Sequence, residues 1–229
     1  MAIYDVIITA AGTGTRSNLQ YNKVFVELAD KPCILYSIER FLKDPEVAHI
    51  YITIKPSDEE QMQEMLGAYG LTDKPIFFVY GGNTRQESVL AALKLVKSPY
   101  VFVHDAARPF IHTEYIKQLK DALKFDDAAI LAVPAVDTLK EITATKEVGR
   151  TIPRKRVAYA QTPQAFDTEL LLKCHLKAEE ESFTATDDAQ LVEVYGGEQQ
   201  VQVVLGSKMN FKITTQEDIF VAQLVAEKM

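Results

Sequence analysis

A loop of small residues follows the first apolar segment of the chain and could bind phosphate groups. It reads AAGTGTR, from Ala10 to Arg16. Small side chains let backbone N–H groups approach an anion closely, and the Arg16 guanidinium adds a bidentate donor. Ser17 stands where a dinucleotide-binding fingerprint needs glycine, and no Gly-Lys-Ser/Thr follows, so a nicotinamide site and a P-loop are both excluded. A plain strand-to-helix turn is the alternative interpretation.

A second small-residue loop, GGNTRQES, follows the apolar run at 76–80. The Thr-x-x-Glu spacing inside it is that of a capping box and indicates the start of a helix. Capping does not explain the double glycine, which would let a flat base lie against the backbone of Gly82. Asn83 and Ser88 could then hydrogen-bond that base, and a plain turn is an equally good interpretation.

A carboxylate ends the apolar run at 100–103, where the sequence continues as HDAARP. Asp105 therefore lies at the carboxyl end of a predicted strand, where open parallel sheets bind their ligands. One carboxylate there suits a Mg²⁺ ion that also contacts substrate phosphates. The alternative is an ion pair with Arg108 that closes a turn before Pro109. We interpret His104 as a packed strand-end residue, and the four histidines show no metal-binding spacing.

Strand and helix patterns alternate along the chain and must position these loops. Short β-branched runs predict strands at 4–9, 50–54, 76–80, 100–103, 129–133 and 201–205. Segments of helical period predict helices at 32–43, 58–69, 85–96, 113–124, 168–181 and 216–228. This order predicts an α/β fold with a mostly parallel sheet flanked by helices. No linker-like composition interrupts it, so we expect a single domain over residues 1–229.

The alternation stops at about 137–161, where charged and β-branched residues mix. We interpret this segment as a protruding arm of two short strands. A basic run within it favours an anionic substrate, although such runs are usually only a solvated face; it comprises Arg150, Arg154, Lys155 and Arg156. Further on, Lys212 adds a cation just before a predicted helix whose N-cap is Thr215.

Composition excludes several classes of function. The chain has 25 Lys and Arg residues and 32 Asp and Glu residues. The resulting net charge of −7 argues against nucleic-acid or anionic-membrane binding. No apolar run approaches the roughly 20 residues that cross a bilayer. Cys33 and Cys174 lack metal-binding spacing, and no secretion signal begins the sequence, so a cytoplasmic location is expected.

Taken in order, these motifs resemble the nucleotidyltransferases that join a nucleoside triphosphate to a sugar phosphate, and more closely the 2-C-methyl-D-erythritol 4-phosphate cytidylyltransferases. The resemblance covers nearly the whole chain and rests on AAGTGTR, GGNTRQESV, VHDAARPF, DTLK, QTPQAF, TDDA and NFKIT. It implies a Rossmann-like fold, CTP and a polyol phosphate as substrates, and Mg²⁺ as cofactor. It also implies a homodimer in which the arm crosses to the partner subunit.

The resemblance assigns a role to each matching residue. The catalytic cations are Arg16, Lys23 and Lys212, and the phosphate loop comprises Ala10, Ala11, Gly12 and Gly14. The base would be recognised by Gly82, Asn83 and Ser88, and the metal by Asp105. The acceptor would be bound by Thr138, Arg154, Thr162 and Thr186. We expect Lys23 to be an exposed loop cation whose work is on phosphate.

Two other functions fit parts of the pattern. Ribitol 5-phosphate cytidylyltransferases share the fold and most motifs, but VHDAARPF favours the methylerythritol enzymes. A catalytically silent CTP-binding module would not need all of the retained cations and Asp105. The chain departs from the family's usual residues at Ser17, Asn22 and Asn83, where Met, Pro and Asp are usual.

Overall fold

The computed structural model describes residues 3–12 and 22–229 of the chain. The strands are β1 Tyr4–Thr9, β2 Glu27–Leu28, β3 Lys31–Pro32, β4 Val47–Ile54, β5 Ile76–Tyr80, β6 Tyr100–Asp105, β7 Ala128–Pro134, β8 Leu139–Ile142, β9 Val148–Ile152, β10 Ala158–Asp167 and β11 Val201–Leu205. The α-helices are α1 Cys33–Leu42, α2 Glu59–Ala68, α3 Arg85–Leu93, α4 Thr113–Ala122, α5 Thr168–Glu180, α6 Asp188–Tyr195 and α7 Gln216–Ala226.

Seven strands form the main sheet in the order β11-β7-β10-β6-β1-β4-β5. Every pairing in it is parallel except those of β10, which runs antiparallel to both β6 and β7. The predicted α/β architecture with a mostly parallel sheet is therefore confirmed. In such a sheet, strands that run the same way end at one edge, so β1, β4 and β6 bring their following loops together.

Apolar side chains on both faces of the strands bury the sheet between two helical layers. In β1, Tyr4, Val6 and Ile8 pack on the face covered by α1, α2 and α4, while Ile7 packs on the face covered by α3, α5 and α6. Burying one large apolar side chain stabilises the fold by about 1.5–3 kcal/mol. The two layers thus fix the strands that carry the loops.

A smaller apolar cluster fixes the segment that leads into α7. Ile213 is buried in it beside Val26, Leu28 and Phe110, and α7 contributes Ala222. The Ile213 amide also donates to the Ala107 carbonyl at 2.9 Å. The residues next to Ile213 are consequently held against the loop that follows β6.

The arm is shorter than the sequence pattern indicates. β8 and β9 pair antiparallel in a separate, mostly exposed ribbon, as predicted for two short strands. However, β10 begins at Ala158 and pairs within the main sheet, so the last residues of 137–161 belong to that sheet. The pattern does not predict β10 because its buried residues include polar Gln161, Thr162 and Gln164. Of the helices described, none combines the length and apolarity that a bilayer crossing requires.

Candidate active site

A cavity of about 530 Å³ opens where β1, β4 and β6 end. Loops that follow these parallel strands supply its walls, as expected for an open parallel sheet. It brings together many of the residues predicted from sequence, namely Ala10, Ala11, Gly12, Lys23, Gly82, Asn83, Ser88, Asp105 and Lys212. Gly14 and Arg16 lie outside the described residues.

The two glycine-containing loops pack against each other at one side of the cavity. A Cβ on Gly81 would lie 2.6 Å from the Ala11 Cβ and 2.6 Å from the Ser88 Oγ. A Cβ on Gly82 would collide with the side chain of Glu87. Since real Cβ atoms do not approach so closely, packing alone already requires both glycines. The double glycine is thereby explained without a ligand, although Gly82 also lines the cavity.

Helix α3 begins in the second loop and fixes its shape. Thr84 Oγ1 accepts a hydrogen bond from the Glu87 amide at 3.1 Å, which confirms the predicted N-cap. The Glu87 carboxylate accepts from the Asn83 amide at 2.7 Å, one residue before the position that a capping box uses. Ser88 is buried, and its hydroxyl donates to the Thr84 carbonyl at 2.8 Å. The loop backbone is thus set by local hydrogen bonds.

Asn22 and Lys23 join the end of β1 to the opposite wall. The side-chain amide of Asn22 donates through Nδ2 to the Ala10 carbonyl at 2.7 Å and to the Asp58 carboxylate at 2.9 Å. Lys23 is only 9% exposed, and its Nζ donates to the Thr214 carbonyl at 2.6 Å. The expectation that Lys23 is an exposed loop cation is therefore wrong, because its side chain forms part of the cavity wall.

Asp105 lies at the centre of a cluster of cations. Its Oδ2 accepts from Lys212 at 2.8 Å, and its Oδ1 accepts from Arg85 at 3.1 Å and from Thr9 at 3.3 Å. Arg108 lies 3.6 Å away, so the ion pair offered as the alternative to a metal site is present as well. Burial alone would raise the pKa of Asp105, but Arg85 and Lys212 hold that pKa well below its usual range. The carboxylate is ionised.

Arg85 connects this cluster to a buried acid that sequence reasoning does not identify. Its Nη1 donates to Asp188 at 2.7 Å, and Asp188 is 3.0 Å from His175 Nε2. Burial alone would lower the pKa of Arg85, but Asp188 and Asp105 raise it, so the guanidinium stays charged. The sequence signal that could have identified Asp188 is the acidic pair in TDDA, but this motif lies far from Arg85 along the chain. Removing one member of such a buried pair would leave an uncompensated charge.

The comparisons with known proteins agree with this geometry. The sequence profile of the 2-C-methyl-D-erythritol 4-phosphate cytidylyltransferase family matches residues 4–228. The enzyme of that name from Bacillus licheniformis is 41% identical over 225 residues, covering 98% of this chain and 96% of its own. Its counterpart from Halalkalibacterium halodurans is 41% identical, and 98% of each chain is covered. The chain belongs to this family.

Solved structures of family members share the fold. The 4-diphosphocytidyl-2C-methyl-D-erythritol synthase of Anaerococcus prevotii superposes with a TM-score of 0.86 at 34% identity, covering 99% of both chains. The 2-C-methyl-D-erythritol 4-phosphate cytidylyltransferase of Thermus thermophilus gives 0.81 at 31% identity, covering 99% of this chain and 100% of its own. The resemblance to cytidylyltransferases inferred from the motifs is confirmed, and so is the enzyme class.

One departure from the family's usual residues has a structural role here. Asn22 stands where the resemblance leads us to expect proline. Its side-chain carbonyl caps the short turn that begins at Lys23 by accepting from the Val24 amide. The side-chain amide holds the end of β1, as described above. Asn22 thus supplies by hydrogen bonding the rigidity that a proline supplies by fixing φ. Asn83 is exposed at the cavity edge, and Ser17 lies outside the described residues.

The donor set fits a magnesium ion that arrives with a nucleotide. Within residues 3–12 and 22–229, no cluster of three or more His, Cys, Asp or Glu side chains could hold a metal. Of the described lining residues, Asp105 alone carries a carboxylate. Mg²⁺ at nucleotide sites is usually held by one or two carboxylates plus substrate phosphates, so an ionised Asp105 suffices. For the metal to bind Asp105 Oδ2, the Lys212 ammonium would have to move away from that oxygen, and the Lys212 side chain is 35% exposed.

The four residues predicted to bind the acceptor do not line this cavity. Thr138 and Arg154 are exposed at the arm, where the Arg154 guanidinium donates to the Val136 carbonyl. Thr186 is exposed before α6 and donates to Gln190. Thr162 is 4% exposed, and its hydroxyl contacts the Asp105 amide and His104 rather than open space.

Proposed function

We propose that this protein transfers CMP from CTP to 2-C-methyl-D-erythritol 4-phosphate, releasing pyrophosphate. The observation that carries the proposal is the meeting of Lys23, Lys212 and Asp105 in one cavity beside two glycine loops. The family match and the names of the relatives support the choice of nucleotide and acceptor. The reaction would supply a CDP-linked polyol for isoprenoid precursor synthesis.

The nucleophile needs no general base. A phosphate oxygen of the acceptor is already anionic near neutral pH, so the barrier lies in bringing two polyanions together. Preorganised cations reduce that barrier, because they stabilise charge that develops on the α-phosphoryl group and on pyrophosphate. Lys23 is held for this role by the Thr214 carbonyl. Lys212, displaced from Asp105 when Mg²⁺ binds, would remain beside the phosphates, and we propose the same role for Arg16 from sequence alone.

The nucleotide would lie across the two glycine loops. The phosphates would face the backbone of Ala10, Ala11, Gly12 and Gly14, where small residues permit close approach. The base would face Gly82, Asn83 and Ser88 at the far side of the cavity. Mg²⁺ held by Asp105 would neutralise triphosphate charge and orient the reacting phosphoryl group.

The acceptor site would be completed by a second subunit. Thr138 and Arg154 are exposed on or beside the ribbon, and neither lines the cavity of its own subunit. We therefore propose that they contact acceptor bound to the partner subunit. Exposed apolar residues on and around the same ribbon support a buried interface there: Val136, Ile142, Val148 and Tyr159. Thr186 would contact acceptor from beside α6.

A direct assay tests the function. Pyrophosphate release is measured with CTP, Mg²⁺ and 2-C-methyl-D-erythritol 4-phosphate, and the CDP-linked product is identified by mass spectrometry. Lys212→Ala should lower kcat by about 10² or more, because one preorganised donor at the reacting phosphate is lost. Lys208→Ala, a nearby lysine outside the described cavity lining, is the matched control. CTP binding without turnover in the wild-type protein would instead support a silent nucleotide-binding module.

A further inference from the structure

The turn that carries Asp105 and Arg108 rests on a pair of buried residues beneath the cavity, His104 and Thr162. His104 Nε2 lies 3.0 Å from the Arg108 carbonyl oxygen, which can only accept. Nε2 must therefore be the protonated nitrogen. Nδ1 then carries the lone pair, so the Thr162 hydroxyl, 3.1 Å away, donates to it.

The hydrogen bonds form a directed chain around the turn. The Asp105 amide donates to Thr162 Oγ1 at 3.0 Å, Thr162 donates to His104 Nδ1, and His104 Nε2 donates to the Arg108 carbonyl. Ser37 on α1 donates to the same carbonyl at 3.1 Å. The Arg108 amide closes the turn on the Asp105 carbonyl at 2.9 Å. Both ends of the turn are thus tied to β6 and β10.

The pair is enclosed. His104 is 0% exposed and Thr162 is 4% exposed. A neutral ring with one donor and one acceptor nitrogen can satisfy both neighbours at once, whereas a threonine or a histidine alone could not bridge the two ends of the turn.

We propose that His104 and Thr162 are positioning residues, which fix the backbone of Asp105 and Arg108 and so hold the Asp105 carboxylate at the cavity. The catalytic consequence of this role rests on the function proposed above. His104 is then more than a packed strand-end residue, and Thr162 serves the acceptor indirectly, through Asp105.

A matched set of threonine variants separates positioning from packing. Thr162→Val removes the hydroxyl but keeps the shape, Thr162→Ser keeps the hydroxyl, and Thr168→Val is the control. Thr168 is also buried, at 9% exposure, and its hydroxyl donates to the Ser98 carbonyl at 2.8 Å beyond the other end of β10. Loss of a residue that orients a site typically costs about 10- to 100-fold in activity.

We expect Thr162→Val to lower kcat in that range with little change in the KM for CTP, and Thr162→Ser to restore most of it. Thr168→Val should lower the melting temperature comparably and leave kcat unchanged. A folded Thr162→Val variant whose kcat stays within about two-fold of wild type would overturn the proposal.

The tautomer of His104 provides a second test that does not depend on turnover. In wild-type protein labelled with ¹⁵N-histidine, the His104 Nδ1 signal should be that of an unprotonated nitrogen, assigned by its loss in His104→Gln. In Thr162→Val this signal should shift, because its donor is gone. A protonated Nδ1 would overturn the proposed chain. If the wild-type protein shows no cytidylyltransferase activity, the proposed function fails. The His104 tautomer still tests the hydrogen-bond chain independently.

Discussion

Lys23 Nζ donates a 2.6 Å hydrogen bond to the carbonyl oxygen of Thr214, which joins two residues 191 positions apart in sequence. Thr214 is itself held by Asp218, whose carboxylate accepts from its amide at 2.8 Å and its hydroxyl at 2.7 Å. Lys212 lies two residues before Thr214 and reaches Asp105. One short segment before α7 therefore positions two of the cations that we assign to catalysis.

Replacing Lys23 tests its assignment. We expect Lys23→Ala to lower kcat by about 10² or more, since a donor to developing phosphoryl charge is lost. We also expect a lower melting temperature, because Lys23 is buried and its bond to Thr214 disappears. Lys31→Ala is the control. Lys31 forms a half-buried ion pair with Glu39, with 2.8 Å between Nζ and Oε2, and neither residue lines the cavity. A folded Lys23→Ala protein with wild-type kcat would remove Lys23 from the mechanism.

Mixed dimers test whether Arg154 acts on the partner's site. We expect Arg154→Ala and Lys23→Ala proteins each to have little activity, and a mixture that forms heterodimers to regain one intact site in each heterodimer. Pyrophosphate release is measured after subunit exchange, with heterodimers quantified by differently tagged chains. Arg150→Ala is the arm control, because Arg150 is exposed and pairs with Glu141 within its own ribbon. Heterodimers as inactive as both parents would contradict a composite site.

The sequence predicts the strands of the main sheet other than β10, and the start of α3, because buried β-branched runs and capping spacings are local signals. It fails where the decisive contact is distant. The exposure of Lys23 depends on Thr214, and the partner of Arg85 is Asp188, which no local pattern connects to it. β10 is missed for a related reason. The hydroxyl of Thr162 in β10 can be buried because it forms hydrogen bonds with the Asp105 amide and His104, which are distant in sequence.

Acid should weaken the start of α7. Burial alone would raise the pKa of Asp218, but hydrogen bonds from Thr214 and Thr215 lower it below its ordinary value. A carboxylate with a depressed folded pKa stabilises the fold above its unfolded pKa of about 3.9, and this contribution is lost as pH falls through the folded pKa. We expect Asp218→Asn to lower the free energy of unfolding by about 1 kcal/mol at pH 7.

Urea unfolding of Asp218→Asn and wild type at several pH values measures this effect. The difference between the two proteins should shrink as pH falls below about 4, where Asp218 of the unfolded wild-type chain begins to take up a proton. Glu217→Gln is the control, since Glu217 is exposed in the same first turn. A difference that is constant with pH would mean that the charge of Asp218 contributes nothing to stability.

Removing divalent metal should abolish turnover without unfolding the protein. In the described part of the chain, Asp105 is the only carboxylate at the cavity, so the protein by itself offers a metal too few ligands for a structural site. We expect EDTA to eliminate pyrophosphate release and added Mg²⁺ to restore it, with the same melting temperature throughout. A large drop in melting temperature with EDTA would instead indicate a structural metal.

Acceptor choice is the finest prediction, because the two candidate acceptors are both five-carbon polyol phosphates. They differ chiefly by a branching methyl group and by hydroxyl count, and a methyl group in an apolar pocket is worth only about 1–3 kcal/mol. We therefore expect a higher kcat/KM for 2-C-methyl-D-erythritol 4-phosphate than for D-ribitol 5-phosphate, by about 10- to 200-fold rather than by complete exclusion.

Both acceptors are assayed at constant CTP and Mg²⁺, and UTP and ATP are then substituted with the better acceptor. Asn83 offers both a donor and an acceptor at the cavity edge, whereas an aspartate carboxylate there would only accept. The kcat/KM for CTP should therefore exceed that for UTP by a smaller factor than in Asn83→Asp. A preference for ribitol 5-phosphate would reassign the acceptor and leave the phosphoryl chemistry proposed for Lys23 and Lys212 intact, because we assign those lysines to the phosphates rather than to the polyol.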